Sequence, residues 1–213
     1  MTSETYSKTT MMILCGIFAA VTAICSLITI PLGFTPVPVN LGTLSVFLTG
    51  GILGKKYGTL SMAVYVLLGA AGVPVFSGFR GGIGVLAGPT GGYIIGYIVA
   101  VLIIGLLMEN TVKTSGSSSS ESELSAAEKK SSPIGSSARK KRIPVVLACA
   151  AAMTAGLLIC YALGTAWFMF STSTPLWASL VSCVFPFLPG DAIKIAAAAI
   201  LTTRLEPALK RKI

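Results

Sequence analysis

Residues 10–30 read TMMILCGIFAAVTAICSLITI, 21 residues without a charge. A helix of about 20 apolar residues crosses the ~30 Å hydrocarbon core of a bilayer, so this stretch alone predicts a membrane span. It is too long for the apolar segment of a cleavable leader, and Pro31-Leu32-Gly33 offers no small-x-small cleavage site. Two more segments, Pro89 to Met108 and Pro144 to Phe170, meet the same requirement. The whole chain agrees: of 213 residues 54% are hydrophobic and 11% charged, with mean hydropathy +0.85. Soluble domains carry about 25% charged residues. The supply here cannot cover a water-facing surface, which excludes a secreted module, a cytosolic Rossmann enzyme and a nucleic-acid-binding domain.

Three shorter apolar segments follow: Leu41 to Leu53, Thr59 to Val73 and Gly190 to Leu201. Reading the first two as a re-entrant hairpin would bury Lys55 and Lys56 near the midplane, at about 2.5–3.5 kcal/mol each. Two full spans are the cheaper arrangement, and local bilayer thinning accommodates their length. The expected fold is therefore an all-α integral membrane protein with six transmembrane helices and cytoplasmic N- and C-termini. Charge supports it. With the N-terminus inside, 14 of the 16 basic residues are cytoplasmic, leaving only Arg80 outside and Lys194 within the sixth span. The expected organisation is one membrane domain over 1–213, with helices 1–4 in 10–110 and helices 5–6 in 143–205. Residues 111–142, rich in Ser, Gly, Lys and Glu, are expected as a disordered cytoplasmic linker. The Arg139-Lys140-Lys141-Arg142 cluster abuts the fifth span and is read as an anchor on anionic lipid. The net charge of +9 thus reports topology rather than an acidic partner.

The inventory excludes several chemistries. Without histidine there is no histidine zinc site, Ser-His-Asp triad or imidazole relay. The five cysteines lie in apolar stretches with no C-x-x-C pair and read as packing residues. Gly54-Lys55 lacks the first glycine and the Ser/Thr of a phosphate-binding loop. Residues 82–87 fit G-x-G-x-x-A but lie between apolar spans, outside any strand–helix–strand unit. No metal and no cofactor is expected.

An ionisable group inside a span is a functional candidate by default. Asp191, the sole aspartate, and Lys194 stand three apart in Pro189-Gly190-Asp191-Ala192-Ile193-Lys194, on one side of a helix. Asp191 either caps the sixth helix with Lys194 as its counter-ion, or the pair faces a ligand bearing both donors and acceptors. Arg80 is the only basic side chain on the outer face, suited to a carboxylate, in a loop from Val75 to Tyr93 that holds seven glycines. Gly88, Gly92, Gly96 and Ala100 form a small-residue stripe that predicts close helix packing. Tyr161, Trp167 and Phe168 either wall an apolar pocket or form an interfacial belt. Ala19 and Ala23 offer a small-x-x-x-small face to another helix, internal or from another subunit.

Pro36-Val37-Pro38-Val39 before a short helix, Gly81-Gly82-Ile83-Gly84, Gly88-Pro89-Thr90-Gly91-Gly92-Tyr93, Tyr161-x-x-Gly164-x-x-Trp167 and Pro189-Gly190-Asp191-x-x-Lys194 occur in one order. Together they resemble BioY, the biotin-binding S components of energy-coupling-factor (ECF) vitamin transporters, over residues 10–110 and 144–204. The resemblance implies a six-helix substrate-binding subunit in a bacterial-type cell membrane. Its partners would be a transmembrane coupling protein and two cytoplasmic ATPases, which hydrolyse the ATP. By matching position it implies that Asp191 and Lys194 bind the polar groups of biotin. It also implies a vitamin seated near the outer surface, between the glycine loop (Arg80, Gly82, Thr90, Tyr93) and the helices of the second half (Tyr161, Trp167), with Ala19 and Ala23 docking the coupling protein. Tyr93 stands where some relatives have arginine, and Asn40 and Gly42 replace a Thr and Gln common there. Two other readings compete: an S component for a different vitamin, and an intramembrane hydrolase pairing a serine with Lys194, for which no motif supplies the nucleophile.

Overall fold

A computed structural model describes residues 8–33, 35, 37–122 and 137–212, with side chains described for 8–33, 35, 37–110 and 145–205. Among these residues the chain forms α1 (Lys8–Leu27), β1 (Thr29–Ile30), β2 (Val39–Asn40), α2 (Gly42–Ala70), α3 (Ile83–Ala87), α4 (Gly91–Ser122), α5 (Ser137–Thr172), α6 (Leu176–Cys183) and α7 (Leu188–Lys212). The all-helical expectation holds. Among the described residues three helices are long and apolar enough to cross a membrane, over Lys8–Leu27, Gly91–Asn110 and Val145–Thr172, or four if the pair Leu176–Cys183 and Leu188–Leu205, bent by 52°, is one span. Pro36 and residues 123–136 of the expected linker lie outside the described residues, while α4 and α5 run into the remainder of that linker, to Ser122 and from Ser137.

The α1 helix buries Met11, Cys15, Ala19, Thr22 and Ser26, a single stripe at three- and four-residue spacing. Polar contacts fix that stripe to α2: Thr22 Oγ1 with Ser45 Oγ at 2.7 Å, and Ser61 Oγ donating to the Cys15 carbonyl at 2.8 Å. The two short spans expected at 41–53 and 59–73 both lie in α2, which is two helical runs meeting at a break at Gly54 (φ 70, ψ −171). That left-handed conformation suits glycine. The Glu109 carboxylate of α4 secures the break, accepting the Lys55 N–H (3.4 Å) and pairing with Lys55 Nζ (3.0 Å).

The small-residue stripe packs as expected, with α4 against α5. A Cβ on Gly92 would lie 2.2 Å from Trp167 Cβ, and one on Gly96 would lie 3.1 Å from Cys160 Sγ. Below this contact Phe47, Ile104, Met153, Ala198 and Ala199 join α2, α4, α5 and α7 in one core with at most 1% exposure each. The segment between the fifth and sixth expected spans is not a plain loop: it carries α6, too short to have registered as a span.

Candidate functional site

The antiparallel pairing of β1 with β2 (Thr29 opposite Asn40, Ile30 opposite Val39) folds the α1–α2 connection back and delivers Asn40 and Thr43 to the start of α2. Opposite them, Asp191 sits in the first turn of α7, its N–H donating to the Phe187 carbonyl at 2.8 Å. The Asp191 side chain is 2% exposed and that of Lys194 11%, and they pair at 2.8 Å. Asp191 Oδ1 also accepts Thr43 Oγ1 at 2.9 Å, and Oδ2 accepts the Tyr161 hydroxyl at 2.5 Å. Lys194 Nζ donates to the Asn40 carbonyl (2.7 Å), Thr43 Oγ1 (3.0 Å) and Asp191 Oδ1 (2.8 Å). An ammonium has three N–H donors, and all three are engaged. The pair is a neutral unit, and among the described residues one carboxylate lone pair on Oδ2 is uncommitted. Among the described residues the Asp191 carboxylate bonds to Thr43, Tyr161 and Lys194 and to no N–H of its own first turn, so it does not cap its own helix.

These groups open on a cavity of about 420 Å³, within the range that takes small ligands. Val37, Val85, Ile94 and Phe187 supply apolar walls, and Tyr65, Phe76, Tyr93 and Tyr97 aromatic ones. Arg80 stands on the lining, exposed, held by backbone bonds between Phe76 and Arg80. Neither ion pair among the described residues uses it. The turn beside it carries Phe79 at φ 57, a positive value outside glycine, and such conformations concentrate at ligand clamps.

Of the residues expected at a ligand, Asp191, Lys194, Arg80, Tyr93, Thr90 and Tyr161 line this cavity, and Gly82 and Trp167 do not. Gly82 (φ 94) serves the loop, its N–H donating to the Gly69 carbonyl at 2.6 Å where α3 begins. Trp167 turns its indole N–H to the Gly88 carbonyl at 3.0 Å and pins the other end of α3. Ala19 is 3% exposed and Ala23 packs on the same internal cluster, so that small face meets α2 within the chain. The small pair on the exposed side of α1 is Gly16 and Ala20, flanked by Met12, Ile13, Ile17 and Val21. Sequence reasoning missed Thr43, Ser77 and Tyr97, and gave Asn40 no role. Their positions beside the Pro36–Val39 and glycine-loop motifs were the available signal.

The chain matches the BioY family over residues 1–211. The biotin transporter BioY of Thermotoga maritima is 41% identical over 191 residues, covering 90% of this chain and 92% of the relative. That of Rhodobacter capsulatus is 33% identical over 199 residues, 88% of each chain. The fold superposes on the crystal structure of the S-component for biotin from an ECF-type ABC transporter with a TM-score of 0.75 at 27% identity, over 97% of this chain and 95% of that one.

Proposed function

This chain belongs to the BioY family, and we propose that it is the high-affinity biotin-binding subunit of an ECF uptake transporter, capturing biotin at the outer face of the cell membrane. It is a transporter component and not an enzyme, which removes the hydrolase reading of Lys194. The observation that carries the biotin assignment is the neutral, buried Asp191–Lys194 unit on the cavity. Biotin's urea ring is itself neutral, with two N–H donors and one carbonyl. The free lone pair of Asp191 Oδ2 accepts a urea N–H without creating net charge in the membrane. The thioether ring and aliphatic chain fit the apolar and aromatic walls, and the carboxylate tail reaches Arg80 at the rim. Nanomolar affinity would require about −12 kcal/mol. Over biotin's roughly 16 heavy atoms that is near −0.8 per atom, inside the ~−1.5 ceiling for small ligands.

The chain crosses the membrane six times with both ends cytoplasmic. The break at Gly54, with Lys55 and Lys56 beside it, supports this as the cytoplasmic turn between two short spans. The loops around β1–β2 and Arg80 then face outward. A transmembrane coupling protein and two ATPases complete the transporter and hydrolyse the ATP, and the exposed Gly16–Ala20 face of α1 is where close helix packing with the coupling protein fits. Titration of the detergent-purified chain with biotin, together with mass spectrometry of any co-purified small molecule, tests the reading. Saturable biotin binding supports it. A chain that ignores biotin but carries another vitamin overturns it.

A further inference from the structure

Around the Asp191 carboxylate nearly every donor is spent within the protein. Lys194 uses its three N–H groups, Thr43 and Tyr161 donate to Asp191, and Tyr93 reaches the Cys183 carbonyl. A urea carbonyl seated there needs a donor from elsewhere. Asn40 lines the same cavity. The orientation of its amide is fixed by chemistry: the Gly42 backbone N–H, which can only donate, lies 2.9 Å from one atom, which is therefore Oδ1. Oδ1 also accepts the Tyr97 hydroxyl at 3.5 Å. Nδ2 must then be the atom 2.6 Å from Ser77 Oγ, using one of its two hydrogens. Among the described residues the second amide hydrogen has no partner. The crowding explains the neighbour: a Cβ on Gly42 would stand 2.8 Å from Ser26 Oγ, 3.0 Å from Asn40 Oδ1 and 3.1 Å from Tyr97 Oη. The main-chain carbonyl of Asn40 meanwhile holds Lys194 at 2.7 Å, which seats the residue against the charged pair.

We propose that Asn40 is a specificity-determining residue whose free amide N–H reads the carbonyl of a urea ring held by Asp191. The inference rests on biotin being the ligand. It is tested by titrating biotin and 2-iminobiotin, whose imine N–H replaces the urea oxygen and offers no acceptor when protonated, into the wild-type chain, Asn40→Ala and Asn40→Asp in detergent. Loss of one hydrogen bond predicts that Asn40→Ala weakens biotin about tenfold and 2-iminobiotin by less than about threefold. Asn40→Asp keeps the acceptor for the Gly42 N–H and exchanges the donor for an acceptor, so it shifts the preference further toward 2-iminobiotin. Should Asn40→Ala not fold, the aspartate variant decides alone. Equal factors for the two ligands, or no change for either, would mean that Asn40 only supports the start of α2, and would overturn the proposal. A wild-type chain that binds no biotin overturns the functional reading itself, whereas wild-type binding with an unshifted ratio overturns Asn40 alone.

Discussion

Asp191 and Lys194 depend on each other because neither charge is in water. Asp191→Asn leaves the Lys194 ammonium without its counter-ion, so stability in detergent should fall by about 3 kcal/mol, along with biotin affinity. Asp191→Leu combined with Lys194→Met removes both charges and should recover most of that stability while biotin binding stays lost. A thermal melt and a titration on the same samples separate the two effects, and a double variant that still binds would remove the pair from the site. Arg80 is exposed, so its replacement should spare the fold. Arg80→Ala is expected to weaken biotin about tenfold, the value of a charge-assisted contact, and to leave the methyl ester of biotin unaffected. Equal loss for both would place the carboxylate elsewhere. The Asp191–Lys194 pair was legible in the sequence because both groups lie three residues apart in one apolar segment. Thr43 and Asn40 were not, since their bonds reach residues 148 and 154 positions away, and no local periodicity records such a meeting.

At the level of elements, the informative departure is α2. Two spans were expected with several residues between them, yet one residue makes the break, because Gly54 alone adopts a conformation that ends one helical run and starts the next. A Cβ there meets both the backbone preference and Glu109 Oε1, 3.3 Å away. Gly54→Ala should therefore cost about 1–3 kcal/mol, read as a lowered midpoint of thermal unfolding in detergent. Glu109→Gln should cost about 0.5 kcal/mol or less, since the ion pair with Lys55 is partly solvated. The reverse ranking would show that the ion pair, and not the backbone, holds the break. The stripe on α4 was readable because four-residue spacing of small side chains has one usual use, close packing. The interior role of Ala19 and Ala23 was not: α1 has small residues on two of its faces, and only the packed bundle shows which one α2 covers.

For the molecule as a whole, the proposed topology rests on the distribution of charge, and it can be checked on intact cells. In a cysteine-free background, Phe79→Cys, at a position 70% exposed, should react with a membrane-impermeant thiol reagent from outside, whereas Lys56→Cys should react only after the membrane is opened. Labelling of both from one side would rule out the six-crossing arrangement. The packed layer of Phe47, Ile104, Met153, Ala198 and Ala199 has a consequence for traffic. It begins about two helical turns beyond Asp191, and with at most 1% exposure at each of these side chains a polar molecule crossing it would have to part a close-packed core. A ligand seated on Asp191 would therefore have that layer between it and the far ends of the helices. On the proposed reading the cavity would fill from one side of the membrane, and its occupancy would follow the concentration there. Net delivery to the other side would then need either the packed layer to part or the subunit to be reoriented, a demand that falls on the proposed partners.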